Sequence, residues 1–385
     1  MELKESLILL KNNKENSLFH RYISNAHILP LLKNLNQNFN VNQIGKSVND
    51  EPIFAITVGK GSKKILMWSQ MHGNESTTTK AIFDVFNILS HKNEFSNIIL
   101  KHCTLTIIPI LNPDGARLYT RLNANKIDLN RDAQDQSQPE SRVLLNIFNE
   151  LKPDFCFNLH GQRTIFSAGT ANKPATLSFL APAQDAEATI SSNRKQSMEV
   201  IVAMNSMLQR VIPNQVGVYD DSFNLNCVGD TFQSKNVPTI LFEAGHFAND
   251  YEREQVRTYV GLALMISLDY IANNNVSGIN YESYLDIPMN QKLFFDIIIR
   301  NAKIEVDGET QDISIQFKEE LVDGKVELKP IIDSIGNLSN YYGHFEIDAK
   351  FTLVLSVNGE CLFIGYENDF VLLNNELFSL KEENS

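Results

Sequence analysis

Hydrophobic positions follow two textures along the chain. Short, nearly unbroken apolar runs (PIFAITVG, KILMWSQ, CTLTIIPIL, DFCFNLH and VPTILFE) predict strands. Between them, STTTKAIFDVFNILSH, PESRVLLNIFNELK and the stretch from about 192 to 211 predict helices. In the second of these, Val143, Leu144, Ile147, Phe148 and Leu151 recur at helical spacing and form one stripe to be buried, and Pro139 stands near its start, where a missing N–H costs nothing. Strands with little polar alternation are covered on both faces, so the expected architecture is a three-layer α/β/α sandwich with a mixed or largely parallel sheet. Beyond about 280 the texture changes. LFFDIIIRNAKIEVDG, TQDISIQFKE, GKVELKPII, HFEIDAKFTLVLSVNG and CLFIGYENDFVLL are strand-like and separated by DG and NG turn signals, which predicts a small all-β domain. The expected division is 1–275 and 280–385, with NNNVSG at 273–278 as the linker.

Composition narrows the functional classes. With 385 residues, 43% hydrophobic and 21% charged, the chain is an ordinary globular protein able to bury a sizeable core. A net charge of -12 leaves no basic stripe to neutralise phosphates, so nucleic acid is not an expected partner. VGLALMISLDYIA, near 260–272, is too short to span a bilayer and contains Asp269, so no membrane partner is expected either. The start, MELKESLILLKNNKENS, lacks the features of a signal peptide, and the expected compartment is the cytoplasm. Cys103, Cys156, Cys227 and Cys361 are scattered without a CxxC pair and are expected to be reduced core residues.

The polar residues with chemical potential fall just after the strand-like runs. His72 and Glu75 follow KILMWSQ, Asn112 to Gly115 follow CTLTIIPIL, His160 ends DFCFNLH, and Glu243 ends VPTILFE. In open α/β sheets the ligand crevice lies beyond the carboxyl ends of strands, so residues far apart in sequence can meet there. Two histidines and a carboxylate leave one position open on a tetrahedral zinc ion, the catalytic pattern, and His72, Glu75 and His160 are the expected ligands. Glu243 is the expected general base, a carboxylate outside the ligand set that takes a proton from water and gives it to the leaving amine.

An HxxE pair alone is weak evidence; the order of the remaining motifs carries more. HxxE, NPDG, an arginine before a DLNR element, a lone histidine and a glutamate after a strand resemble, from about residue 40 to 270, the zinc carboxypeptidase family of carboxypeptidase A and B type. That resemblance implies the family's α/β fold, a bound zinc ion and hydrolysis of a C-terminal amide bond. It further implies that Asp128 orients His72 and that Arg121 stabilises the oxyanion. Asn130 and Arg131 would hold the substrate's terminal carboxylate, and Tyr219 resembles the mobile tyrosine that closes over the substrate.

Departures are also present. Asp132, Ala133 and Gln134 stand where the family commonly has an asparagine, an aromatic and a proline. Gly229, before Asp230, stands at the expected pocket base and brings no charge to select a side chain. Arg163 and His246 are extra polar groups next to motif residues, either substrate contacts or structural. The HxxE, the DLNR and the β tail also resemble zinc deacylases of the aspartoacylase or succinylglutamate desuccinylase type. The substrate is accordingly a peptide or an acylated amino acid. A binding module with a vestigial metal site is the third reading.

Overall fold

The computed structural model describes residues 2–381. Two compact units partition the chain: the first runs to Gln162 and resumes over Ala175–Asn290, and the second takes Arg163–Pro174 and the chain from Gln291 onward.

In the first unit the apolar runs form one eight-stranded sheet. Its strands are β1 (Phe39–Lys46), β2 (Pro52–Val58), β3 (Lys63–Ser69), β4 (Cys103–Ile108), β5 (Phe155–Gly161) and, after β6 (Phe166–Ala168) of the second unit, β7 (Leu177–Leu180), β8 (Val216–Val218) and β9 (Thr239–Ala244). Their order is β1-β2-β4-β3-β5-β9-β7-β8. β3 is parallel to β4 and β5, β5 to β9, and β7 to β8, whereas β1–β2, β2–β4 and β7–β9 are antiparallel. The sheet is therefore mixed, as the uninterrupted apolar runs predict.

The helices are α1 (Leu3–Asn12), α2 (Asn25–Asn34), α3 (Thr77–Ser90), α4 (Glu94–His102), α5 (Pro113–Leu118), α6 (Pro139–Leu151), α7 (Ser192–Leu208), α8 (Val228–Ser234) and α9 (Glu254–Asn273). Strand side chains alternate between faces, and that alternation sorts the helices into layers. Ile65, Met67, Phe155, Phe157, Leu159, Ile240 and Phe242 join buried residues of α1, α2, α3, α4, α7 and α9 in the larger core. Leu66, Trp68 and Cys156 point the other way and join Leu144 and Phe148 of α6 and Val228 and Phe232 of α8. The stripe expected on α6 is thus the one that packs, with Val143, Ile147 and Leu151 at its partly buried margin. The apolar stretch near 260–272 lies in α9, buried beside α3 and α7, and among the described residues no helix is long and apolar enough to cross a membrane.

Two expectations need correction. Cys103 and Cys156 are buried thiols, but Cys227 is only half-buried and Cys361 is exposed, so they are not all core residues. Residues 273–278 do not lead straight out of the first unit: Val276, Tyr284 and Ile287 are buried in its larger core, and the unit runs on to Asn290.

The second unit is all-β. β11 (Phe294–Lys303), β12 (Thr310–Val322), β13 (Lys325–Gly336) and β14 (Tyr342–Asp348) form a sheet in the order β13-β12-β11-β14, β14 lying parallel to β11; β10 (Asn290–Lys292) pairs with β6. β15 (Val354–Leu355), β16 (Phe370–Leu373) and β17 (Glu376–Ser379) form a third sheet. The DG signal between β12 and β13 folds as expected, with φ of 48° at Asp323 and 78° at Gly324, the left-handed pair that matches the twist of a tight hairpin. Alternate isoleucines (Ile297, Ile299, Ile313, Ile315 and Ile332) fill this unit's core.

Candidate metal centre and active site

The HxxE element begins with a sharp turn. Gln70, immediately after β3, has φ of 44°, a strained conformation for a residue with a side chain. Its amide offsets that strain by donating to the carbonyls of Ile23 at 3.0 Å and Gly73 at 2.7 Å. Asn112 locks the neighbouring NPDG turn to it: its N–H donates to the Gln70 carbonyl at 3.0 Å, its Nδ2 to the Met71 carbonyl at 3.2 Å, and its Oδ1 accepts from the Gly115 N–H at 2.8 Å. Gly73 is glycine for lack of room, since a Cβ there would lie 2.0 Å from the Gly115 carbonyl carbon. HxxE and NPDG are therefore one interlocked scaffold.

Three expected ligands converge at its end. His72 Nδ1 lies 2.8 Å from Glu75 Oε1, His160 Nδ1 lies 2.9 Å from Glu75 Oε2, and the two Nδ1 atoms are 3.1 Å apart. His72 Nε2 is committed to Asp128 Oδ1 at 3.0 Å, which leaves Nδ1 of the neutral ring with its lone pair toward the cluster. The Gly161 N–H donates to Glu75 Oε2 at 3.0 Å and orients that carboxylate. Among the described residues this is the one group of His, Cys, Asp and Glu gathered so that a metal ion could be held. The donor set fits zinc: two ring nitrogens 3.1 Å apart and a carboxylate face one point, where one divalent cation satisfies all three.

Electrostatics agree with the geometry. Burial works against a proton on His72, but the Glu75 charge and the bonds to Asp128 and Glu75 outweigh it and push the ring up. Burial would raise Glu75, yet His72 and His160 hold it well below the usual carboxylate range. Asp128 is also depressed, burial being overcome by His72 and Arg121. His160 is pushed down by burial. The cluster thus favours positive charge at its centre, where a metal ion competes with the proton on His72.

Glu243 is the partner of His160 in the β5–β9 register, so both side chains leave the sheet on the face shared with α6 and α8. Its Oε2 is closed off from solvent and lacks a hydrogen-bond partner. Burial and then the Glu75 charge push Glu243 well above the usual carboxylate range. Arg121 donates from Nε at 3.2 Å and Nη2 at 3.0 Å to Asp128 Oδ2, and from Nη1 at 3.4 Å to Glu75 Oε1. With 47% of its side chain exposed, the guanidinium is held beside the cluster yet reachable from solvent.

The remaining expected residues are distributed as follows. Asn130 stands one short 3-10 turn from Asp128, its Oδ1 accepting from the Val228 N–H at 3.1 Å, while the exposed Arg131 donates to the Asn130 carbonyl at 2.7 Å. Tyr219 follows β8, and its hydroxyl donates to Gln162 Oε1 at 2.6 Å; burial, Glu243 and Glu75 all push the phenol far up. His246 is buried, its ring 4.7 Å from that of Tyr251, in the setting of a packed aromatic. Arg163 is exposed and belongs to the second unit. Gly229 is buried against Pro182, and Asp230 beside it is raised to about 6 by burial.

Two positioning groups escaped the sequence reading. Arg253, itself at φ of 59°, donates to the Ala244 carbonyl at 2.7 Å, to that of Gly245, and to the Gln162 carbonyl at 2.9 Å, clamping the ends of β5 and β9 that carry His160 and Glu243. Gln162, two residues past His160, meets Tyr219. Its closeness to His160 in sequence was the available signal; Arg253 had none.

Comparison with known proteins bears on the same residues. The zinc carboxypeptidase family model matches residues 28–215, a span that holds His72, Glu75, Arg121, Asp128, Asn130, Arg131 and His160 and stops short of Tyr219 and Glu243. Carboxypeptidase SOL1 of Arabidopsis thaliana is 29% identical over 137 residues, 31% of this chain and 28% of that protein. Cytosolic carboxypeptidase 6 of Mus musculus is 23% identical over 167 residues, 38% of this chain and 31% of that protein. The matches thus span about a third of these relatives' lengths. In fold, the chain is similar to a metallo-carboxypeptidase from Burkholderia cenocepacia (TM-score 0.51, 17% identity, 63% of this chain and 66% of that one). It is also similar to carboxypeptidase A from Helicoverpa armigera (TM-score 0.51, 18% identity, 69% and 81%). Residues 28–215, just under half of the chain, thus match the zinc carboxypeptidase family model.

Proposed function

We propose that this chain is a zinc-dependent metallocarboxypeptidase that hydrolyses the C-terminal amide bond of a peptide. The observation that carries the reading is the convergence of His72 Nδ1, Glu75 and His160 Nδ1, with an unpaired Glu243 oxygen on the next strand and the same face. His72, Glu75 and His160 would hold the zinc ion. When bound, zinc supplies a Lewis acid and brings the pKa of water toward about 7.

The protein's own groups then divide the work. Glu243 takes the proton of the attacking water and returns it to the departing nitrogen; its missing hydrogen-bond partner leaves Oε2 available for that proton. Burial and Glu75 bias Glu243 toward the protonated form, and positive charge in the cluster works against that bias. Arg121, held by Asp128, receives the oxyanion that develops on the scissile carbonyl. Asn130 and Arg131 orient the terminal carboxylate, and Tyr219 borders the substrate's site. The cytoplasm is the compartment we propose, in keeping with free thiols at all four cysteines.

The test is turnover by zinc-loaded protein on peptides of varied C-terminal residue and on N-acyl amino acids, each with an amidated control. Cleavage of free-acid peptides and not of amidated ones is expected. Activity confined to N-acyl amino acids would replace the peptidase with a deacylase, and no turnover on either panel with zinc bound would leave a binding module.

A further inference from the structure

Beside Glu243, four residues brought from separate parts of the first unit meet in one hydrogen-bonded knot. The β-sheet register sets a row across one face: His160 on β5 pairs with Glu243 on β9, Glu243 with Ser178 on β7, and Ser178 with Gly217 on β8. Tyr219 follows two positions later and donates its hydroxyl to Gln162 Oε1 at 2.6 Å. Asn290 Nδ2 donates to the same oxygen at 3.3 Å and to Ser178 Oγ at 2.8 Å, and its amide also bonds the phenol. The Gln162 amide cannot turn around, because its Nε2 donates to the Ala175 carbonyl at 2.7 Å. Its backbone is pinned on both sides, the N–H to the Ala244 carbonyl at 2.9 Å and the carbonyl to Arg253 Nη2 at 2.9 Å.

Two glycines pack closely against the knot. A Cβ on Gly245 would lie 2.5 Å from Gln162 Nε2 and 1.9 Å from the Ala175 carbonyl oxygen, and one on Gly217 would lie 2.0 Å from Asn290 Oδ1. Neither glycine has a positive φ, so backbone conformation does not demand glycine at either position. Room for the Ala175 carbonyl and the Gln162 amide does at Gly245, and room for Asn290 does at Gly217.

We propose that Gln162 and Asn290 are positioning residues that latch the Tyr219 hydroxyl beside Glu243 before substrate arrives. What Tyr219 then touches rests on the carboxypeptidase reading. A tyrosine that swings in on binding must be ordered at that moment, which weakens affinity; one already latched has lost that freedom during folding. The latch therefore acts on substrate affinity more than on the chemical step.

The test uses the full chain with 3-fluorotyrosine in place of tyrosine, the Tyr219 fluorine resonance being the one absent from Tyr219→Phe. Gln162→Met, which keeps length and removes the acceptor, and Asn290→Ala are each expected to shift and broaden that resonance while the thermal melt stays close to that of the parent. Gly217→Ala, which crowds Asn290, is expected to move the same resonance from the other side. On a cleaved peptide, Gln162→Met should raise KM roughly five- to tenfold, the range one hydrogen bond carries, and leave kcat within about twofold. In the Tyr219→Phe background the same substitution should change neither constant beyond about twofold, the scatter of additive sites. A Tyr219 resonance unmoved in folded Gln162→Met and Asn290→Ala would overturn the latch, as would an equal loss of activity with or without the Tyr219 hydroxyl. A responsive resonance in a protein that cleaves no peptide would uphold the latch and remove the peptidase reading instead.

Discussion

The two faces of the first unit's sheet are written into the same strands, one residue apart, and they obey different rules. On β5, Phe155, Phe157 and Leu159 enter the larger core, while Cys156, Asn158 and His160 face the other way; on β9, Ile240, Phe242 and Ala244 are set against Glu243 in the same manner. The first set is satisfied by packing alone. On the second, Asn158 Oδ1, His160 Nε2 and Glu243 Oε2 are buried without a hydrogen-bond partner, a cost that proteins seldom keep without use. One face supplies stability, and that stability tolerates the polar strain of the other.

If that division holds, substitutions on the two faces should separate activity from folding. Glu243→Gln is expected to give the largest effect, a hundred- to ten-thousandfold loss of kcat, with zinc retained and a melting temperature equal to or above the parent, since an enclosed, unpaired carboxylate is removed. Metal analysis beside the melt decides it: loss of zinc from folded Glu243→Gln would make Glu243 part of the ligand set. Phe157→Ala, three positions before His160 and on the opposite face, should cost about 3–5 kcal/mol of stability. Its ring is tilted against that of Phe242, with centroids 5.1 Å apart, and it is fully enclosed. Denaturant midpoints should fall while zinc content and kcat of the folded fraction stay near the parent. A parallel fall in kcat would mean that the faces are coupled.

The layered fold was legible because its signal is local. Runs such as KILMWSQ and DFCFNLH can bury both faces only inside a covered sheet, and the helical stripe on 139–151 had nowhere else to pack. That His72, Glu75 and His160 would meet was legible for a related reason: metal chemistry restricts the residue types worth pairing, and strand ends bring them to one edge. Gln162, Asn290, Arg253 and the strained Gln70 were not. Each acts through a polar side chain with no distinctive chemistry of its own, and its meaning comes from partners fixed only by the tertiary fold. Likewise, residues 163–174 fold with the second unit, an excursion that no shift in composition announces.

The smallest expected effect sharpens the comparison through pH. Asp230 lies on α8, on the face that bears the site, where the Asn224 N–H at 3.3 Å, the Cys227 thiol and the Arg131 charge only partly offset burial, and its pKa is raised to about 6 from an ordinary value of 3.8. A carboxyl whose folded pKa is raised adds stability that is fully present below the unfolded pKa and lost as pH climbs through the folded one. The loss therefore runs from about pH 4 to pH 6, on the order of 1–3 kcal/mol, and is complete above that window. Asp230→Asn carries no such ionisation. Its denaturant midpoint should lie near or below the parent's at pH 4, gain on it steadily to about pH 6, and keep a constant advantage at higher pH. A difference that stays flat across that window would show that Asp230 ionises freely in the folded protein and that this face pays nothing for its charge.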